Sequence, residues 1–241
     1  MDDLAIFLGV LAPVSLIAGF IRGFTGLGGP LILVPTLSLF IPPPAAAWVV
    51  NWVDVIANIK LLPDTRAHVS RSIVLPLMVG SVFTIPLGVY LLVSIDATIM
   101  RRTICAAILV AALILAAGWR YRGPTGTLVW VAVGAFSGFI LGATSIALTA
   151  ALFLHAGQQR AAESRANFIV WVFFGACTFL LLMGYHRGMA EPRFYEIAIL
   201  APLYFAGTSL GARYHARADE HLVRRLVIGL IIIVATVGLL R

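Results

Sequence analysis

The chain of 241 residues is 61% hydrophobic and only 11% charged, with a mean hydropathy of +1.02. These values exclude a soluble globular protein and predict an integral membrane protein. The net charge of +7 does not indicate nucleic-acid binding, because the basic residues fall in short loops between apolar runs, where they orient a membrane protein.

Apolar runs long enough to cross a bilayer as helices recur along the whole chain, so the short alternating strands of a barrel are excluded. In chain order the predicted segments are 4–22, 24–41, 45–62, 72–94, 97–118, a broken stretch at 127–155, 164–186, 194–213 and 222–240. The sequence therefore predicts an all-α, polytopic helical membrane protein with about 8–10 membrane segments.

A glycine-rich break interrupts the first apolar stretch from Gly19 to Pro35, where the sequence is G-F-I-R-G-F-T-G-L-G-G-P-L-I-L-V-P. Unwound backbone at membrane depth is tolerated only where it is buried in protein or lines a watered cavity. The pattern predicts helix, loop, helix, with a second helix that begins near Pro30 and directs its free N–H groups at an anion. Close helix packing is the alternative role for each glycine.

A weaker copy of this break, G-A-F-S-G-F-I-L-G-A-T-S-I-A-L, begins at Gly134. The turn D-x-x-x-x-R-R also occurs once in each half, at an offset of 123 residues, and Asn51 pairs with Asn167 at an offset of 116. Internal repeats in a polytopic protein are typical of secondary transporters. We therefore predict two repeats, 1–122 and 123–241, within a single membrane domain.

The distribution of basic residues decides whether the repeats are parallel or inverted. If each broken stretch is a hairpin and the N-terminus lies outside, twelve of the 17 Lys and Arg residues lie inside and five outside. If each broken stretch crosses once, the loop charges show no bias. The positive-inside rule thus favours two inverted repeats, each opening with a glycine-broken helical hairpin that crosses fully or re-enters.

Three polar residues, Asn51, Asp54 and Asn58, are spaced to lie on one face of the span after the proline triplet. An ionisable group within a membrane span is costly and usually functional. Asp54 is therefore a candidate proton or sodium coupling residue, or a partner for Arg22. The alternative is a structural pair with Lys60.

Two further polar residues are candidates for contacts with a substrate. Arg22 borders the glycine break and is suited to bidentate binding of a sulfonate, sulfite or carboxylate, unless it snorkels to the cytoplasmic turn. Asn167, the counterpart of Asn51, is predicted to face it across a pseudo-twofold axis, with hydrogen bonding between helices as the alternative.

Enzyme signatures are missing from the sequence. It has no G-x-S-x-G motif and no Walker loop, and its five histidines lack partners at metal-binding spacing. The two cysteines lie inside apolar runs, where packing is their default role. The sequence therefore predicts no enzymatic activity, no metal site and no cofactor.

The glycine break, its copy and the paired turns together resemble the sulfite exporter TauE/SafE family of bacterial membrane permeases. The family's element, commonly G-x-G-G-G followed by an apolar run and proline, matches Gly26, Gly28, Gly29 and Pro35, with Pro30 in place of the last glycine. The second copy departs further from this pattern. The resemblance implies transport of small anions, such as sulfite, organosulfonates or related sulfur-containing or organic acids, across the cytoplasmic membrane.

We therefore expect a multi-pass secondary transporter (permease) in the cell inner membrane that binds a small anion between its two repeats. The predicted substrate-binding residues are Arg22, Gly26, Gly28, Gly29, Asn51, Thr144, Ser145 and Asn167, with Asp54 as the coupling residue. The expected partners are the anion and the lipid bilayer, and the small-residue face from Gly80 to Gly88 permits a homodimer. The alternatives are a passive anion channel, a cation carrier that uses Asp54, and a structural subunit of a partner enzyme.

Overall fold

The structure, a computed structural model, describes residues 7–25, 29–117, 126–156, 160–185, 194–214, 229 and 232–239. These residues form helices and a few short turns, and the all-α prediction is confirmed. After a π-helical turn at Phe7–Leu11, the helices are α1 (Ala12–Thr25), α2 (Gly29–Ser38), α3 (Pro43–Thr65), α4 (Arg71–Ser94), α5 (Ala97–Ala116), α6 (Thr127–Thr144), α7 (Leu148–Ala156), α8 (Ala161–Tyr185), α9 (Phe194–Tyr214) and α10 (232–239).

Within the described ranges, four helices are both long and apolar enough to cross a membrane: α4, α5, α6 and α8. Helices α3 and α9 contain 23 and 21 residues, so their length also suffices for a crossing. The first of these helices carries Asp54 and the other carries Glu196, which reduce their hydropathy. The chain is thus a multi-pass helical membrane protein.

Helices α2 and α7, which follow the two breaks, are half-length helices. They contain 10 and 9 residues. At 1.5 Å per residue they are about 15 and 14 Å long, against a hydrocarbon core of roughly 30 Å. Neither helix crosses the membrane by itself, so the second arm of each predicted hairpin is a short helix. The predicted start at Pro30 is confirmed, because α2 begins at Gly29.

Two helix pairs, α1 with α9 and α4 with α6, make the closest contacts in the fold. A Cβ atom placed on Gly19 or Gly23 would meet the backbone of Tyr204 or Thr208, while Gly207 and Gly211 lie against α1 in the same way. Residue numbers rise together along both helices, so the pair is parallel. These glycines allow the two backbones to approach closely.

The second pair, α4 with α6, has the same design. Gly80 and Gly88 lie against the backbone of α6, and Gly134, Gly138 and Gly142 lie against α4, again with both chains running in the same direction. The small-residue face from Gly80 to Gly88 is therefore covered within the chain. Two roles were considered for Gly134 and Gly138, a break in the helix and close packing between helices. In the structure both glycines pack closely against α4.

Helices α3 and α8 lie between these two pairs. Helix α3 packs against α8 and α9, and α8 packs against α3 and α4. Helix α3 begins within the proline triplet, with Pro42 at its N-cap and the other two prolines in its first turn, where no intrahelical N–H bond is lost. The polar face of α3 is directed into the protein, because Asn51, Asp54 and Asn58 are all buried.

Candidate functional site

Both helix breaks border one cavity in the middle of the molecule. Residues beside the first break (Arg22, Pro30 and Leu31) line it together with residues beside the second (Leu141, Ser145 and Ala147). Helices α3 and α8 supply the remaining walls, and these residues are Val50, Asn51, Asp54, Phe168, Val172 and Ala176. Two segments more than a hundred residues apart in the sequence thus meet at a single site.

The cavity is small. Its volume is about 20 Å³, which is room for roughly one water molecule. Its walls combine an ion pair, an amide and a hydroxyl with apolar side chains. A ligand of several heavy atoms therefore requires the walls to move apart.

A buried ion pair between Arg22 and Asp54 forms one wall. The Arg22 Nε lies 3.2 Å from Asp54 Oδ1, and the two side chains are only 2% and 4% exposed. A guanidinium nitrogen of Arg22 also donates to Asp54 Oδ2 at 3.3 Å. Of the alternatives considered for these residues, the structure supports the mutual pair over a snorkelling arginine.

Asn58 and Tyr204 complete the hydrogen bonding of this pair. Asn58 accepts from Arg22 at 3.0 Å and donates to Asp54 Oδ2 at 3.0 Å. The Tyr204 hydroxyl donates to Asp54 Oδ1 at 3.0 Å. The Arg22 guanidinium also lies 5.7 Å from the ring centroid of Phe168, within range of a cation–π contact. The charges are therefore matched and enclosed by α1, α3, α8 and α9.

Asn51 and Ser145 connect α3 to the second break. The Asn51 amide donates to the Ser145 hydroxyl at 2.9 Å and to the carbonyl of Ala47 at 2.8 Å. Ser145 has φ of 58°, and it is the only non-glycine residue with positive φ in the described ranges. Its N–H bonds to the Leu141 carbonyl and ends α6. The left-handed conformation therefore turns the chain out of α6 at the cavity.

We expect Ser145→Gly to give a more stable protein than Ser145→Ala by about 1 kcal/mol, because glycine adopts a left-handed conformation without the steric cost that alanine meets. Both variants lose the hydroxyl that accepts from Asn51, so the comparison isolates the backbone contribution. Thermal unfolding of the detergent-purified variants measures the difference. Equal stability would contradict the left-handed turn.

The other predicted binding residues that the structure describes do not line the cavity. The Thr144 hydroxyl donates to the Ile140 carbonyl at 2.7 Å and accepts from the Ile146 N–H at 3.3 Å, so it stabilises the chain reversal. Gly29 lies against the Tyr204 hydroxyl, where a Cβ atom has no room. Gly26 and Gly28 lie outside the described residues.

Asn167 hydrogen-bonds to a different part of the protein from Asn51. Its side-chain oxygen accepts from the Ser70 N–H at 2.8 Å, at the start of α4, and its amide nitrogen is buried without a partner. The two asparagines thus bond to different partners, and Asn167 does not line the cavity. The prediction that it binds the substrate remains untested.

Sequence reasoning did not identify Tyr204 as a site residue. In an apolar run a tyrosine is usually read as a packing residue or an interfacial anchor. The signal available was its position four residues before Thr208 and three before Gly207, on the glycine face that packs against α1. Tyr204 is completely buried, and a buried tyrosine hydroxyl needs a polar partner.

A model of one protein family matches residues 11–237, and its description is Sulfite exporter TauE/SafE. No curated protein and no solved structure matches the chain. The matched range contains both helix breaks, the Arg22–Asp54 pair and every residue that lines the cavity.

Proposed function

The chain belongs to the sulfite exporter TauE/SafE family, and on this basis we propose that it is a secondary transporter of a small anion, which binds in the cavity between the two helix breaks. The family is one of membrane transporters. Sulfite, an organosulfonate or a related sulfur-containing or organic acid is the proposed substrate. The observation that carries this proposal is the single cavity lined by both breaks.

The proposed site has several groups suited to an oxyanion. Arg22 supplies charge and a planar set of donors, while Asn51 and Ser145 supply neutral donors. The helices α2 and α7 begin beside the cavity, and the first N–H groups of a helix have no intrahelical partner and favour negative charge. We retain Gly26 and Gly28 in the proposed site, since they immediately precede α2 in the chain.

The volume of the cavity supports a transporter over an open pore. An oxyanion with four or more heavy atoms does not fit into a space of about 20 Å³. In this conformation the walls must move apart before such an anion can bind, and movement of this kind is part of alternating access. A passive anion channel, in contrast, needs a continuous wet path.

We also propose that residues 1–122 and 123–241 are inverted repeats. Support comes from the reciprocal packing, since the first helix of each half (α1 or α6) packs against the fourth helix of the other half (α9 or α4). Tyr204 and Ser81 differ by 123 positions, and each hydrogen-bonds to the central helix of the other half, at Asp54 and Trp171 respectively.

Helix direction supports inversion over a parallel repeat. Ser70 and Ser81 bond to Asn167 and Trp171, so α4 and α8 run in the same direction. Helix α4 follows α3 after the short connection at 66–70, which reverses the chain. The equivalent helices α3 and α8 are then antiparallel, as inverted repeats require.

The orientation that we propose places the N-terminus outside and the basic loops in the cytoplasm. A re-entrant hairpin whose break lies at mid-depth returns the chain to its starting side with a half-length second arm, just as a full hairpin does with a complete one. Arg22 is buried beside Asp54 and no longer counts as a loop charge, which leaves eleven basic residues inside against five outside. This bias supports the proposed orientation, and the cell inner membrane is the location that we propose.

A cation carrier that uses Asp54 has less support. The Asp54 carboxylate already contacts Arg22, and a metal cation beside it would face the guanidinium charge at close range. No group of three potential metal-binding side chains occurs within the described ranges. The anion proposal instead uses the donors that the cavity contains.

Thermal stabilisation of detergent-purified protein tests the proposed function. Sulfite, methanesulfonate, sulfate, acetate and divalent cations form the panel, and a ligand at 100 times its Kd adds about 2.7 kcal/mol to the stability of the folded state. We expect stabilisation by a sulfur oxyanion or sulfonate, with about tenfold weaker binding after Asn51→Leu through the loss of one donor.

Asn167→Leu is the matched comparison, because Asn167 is also a buried asparagine in a central helix but bonds to Ser70. We expect it to leave ligand stabilisation nearly intact. Stabilisation by cations alone, lost after Asp54→Asn, would overturn the anion proposal.

A further inference from the structure

The cavity has no net charge in the conformation described. Among the residues that the structure describes, Arg22 is the one cation that lines the cavity and Asp54 the one anion, and the two are in direct contact. An incoming anion is therefore attracted by the arginine and repelled by the carboxylate. Its binding must either overcome that repulsion or remove it.

We infer that a bound anion replaces Asp54 as the partner of Arg22, and that Asp54 takes up one proton when this happens. This inference rests on the proposed function and refines it. The substrate is then a singly charged oxyanion or sulfonate that is carried together with one proton, and the movement is electroneutral. Asp54 and the substrate thus compete for the guanidinium of Arg22.

Burial is the reason for the proton. The Asp54 side chain is 4% exposed, and a carboxylate that loses its cation in such a place becomes much more costly than the neutral acid. The other direct partners of Asp54 are Asn58 and Tyr204, which carry no compensating positive charge. Anion binding and proton binding are therefore linked.

The groups around Asp54 do not compete with its carboxyl for the proton. Among the described residues, the charged or titratable side chains that contact it are Arg22 from α1 and Tyr204 from α9. Helix α3 adds the amide of Asn58, while α2 and α8 add Pro30, Leu31 and Phe168 to the cavity wall, none of which titrates. Arginine stays charged, so the proton goes to an oxygen of Asp54.

Tyr204 is suited to both states of the carboxyl. Its hydroxyl now donates to Asp54 Oδ1, and a tyrosine hydroxyl also accepts hydrogen bonds. After proton transfer from the adjoining solution to Oδ1, the new O–H donates to the Tyr204 oxygen. The charge balance is one anion on Arg22 and one proton on Asp54, with no net charge moved.

Proton uptake during ligand binding tests this inference. Methanesulfonate is the probe, since it remains a monoanion near neutral pH and any proton bound must go to the protein. A pH indicator in weakly buffered detergent solution reports the protons, and thermal stabilisation reports binding. We expect about one proton per bound methanesulfonate, and an affinity that falls about tenfold for each unit of pH increase over the range in which this proton is taken up.

Asp54→Asn separates the coupling from the binding. The variant keeps Arg22 but lacks the competing carboxylate, so we expect it to bind methanesulfonate at least as tightly, without proton uptake and without the pH dependence. The double variant Arg22→Gln/Asp54→Asn has neither charge, and we expect at least a tenfold loss of affinity. Should Asp54→Asn fail to fold, proton uptake by the unmodified protein remains decisive.

The outcomes also separate this inference from the proposed function. Methanesulfonate binding at unchanged affinity across pH, with no proton taken up, would overturn the coupling and leave the anion transporter standing. Failure of every anion in the panel to stabilise either the unmodified protein or Asp54→Asn would overturn the proposed function itself, and this inference with it.

Discussion

Replacement of Arg22 by Gln is expected to destabilise the protein by about 3–5 kcal/mol. The substitution leaves Asp54 buried without its cation, and removal of one partner from a buried ion pair costs about this much, whether the other partner stays charged or must take up a proton. The loss arises in the folded state, where α1, α3 and α9 enclose the carboxylate. Unfolding of the purified protein in mixed detergent and SDS measures it.

The double variant Arg22→Gln/Asp54→Asn is the control for this prediction. It removes both charges and retains amide groups of similar size that can bond to each other, so we expect it to regain most of the stability. The coupling between the two sites should exceed 1 kcal/mol in a double-mutant cycle, in the range of contacting residues. Additive losses would mean that the two side chains do not pair in the membrane.

The helices of the fold were predictable from the sequence because a bilayer demands long apolar runs. The predicted spans 72–94, 97–118 and 194–213 correspond to helices Arg71–Ser94, Ala97–Ala116 and Phe194–Tyr214. The proline triplet and the two glycine breaks also marked helix ends. The half-length of α2 was less evident, since its apolar run continues through the turn at 39–41 without a change in composition.

The site was predictable in part. Arg22 and Asp54 were candidates because charged residues are rare at membrane depth, and their mutual pairing, one of the alternatives considered, is present in the structure. Nothing in the sequence indicated that Tyr204, 150 residues beyond Asp54, donates to its carboxylate. Equally, the spacing that relates Asn51 to Asn167 predicts equivalent positions in two helices but does not determine which neighbour each amide meets.

The glycines raise a general ambiguity, since the same residue allows a broken helix or a close helix contact. In this protein most described glycines of the two motifs have the second role. Gly19 and Gly23 lie against α9, and Gly134 and Gly138 lie against α4. The close pairs provide a rigid frame, and the two helices that carry these glycines end only after them, at Thr25 and at Thr144.

Gly88→Ala is expected to destabilise the protein by about 3 kcal/mol or more, although it adds a single methyl group. A Cβ atom at this position would lie 2.6 Å from the Ala143 nitrogen and 2.9 Å from the Gly142 carbonyl carbon, and it would also meet the Phe139 carbonyl. All three are backbone atoms of α6, so no side chain can rotate away. Overpacking of this kind commonly costs 1–3 kcal/mol, and more where the backbone must shift.

Gly184→Ala in α8 is the matched control, because a Cβ atom there has no neighbour within 4 Å. Alanine favours a helix by up to about 1 kcal/mol over glycine, so this variant should be as stable as the unmodified protein or slightly more stable. Unfolding in SDS compares the two. Similar stabilities for Gly88→Ala and Gly184→Ala would mean that α4 and α6 do not form a close pair. Close packing of α4 against α6 would then not explain why Ser145, the residue directly after α6, lies beside Asn51.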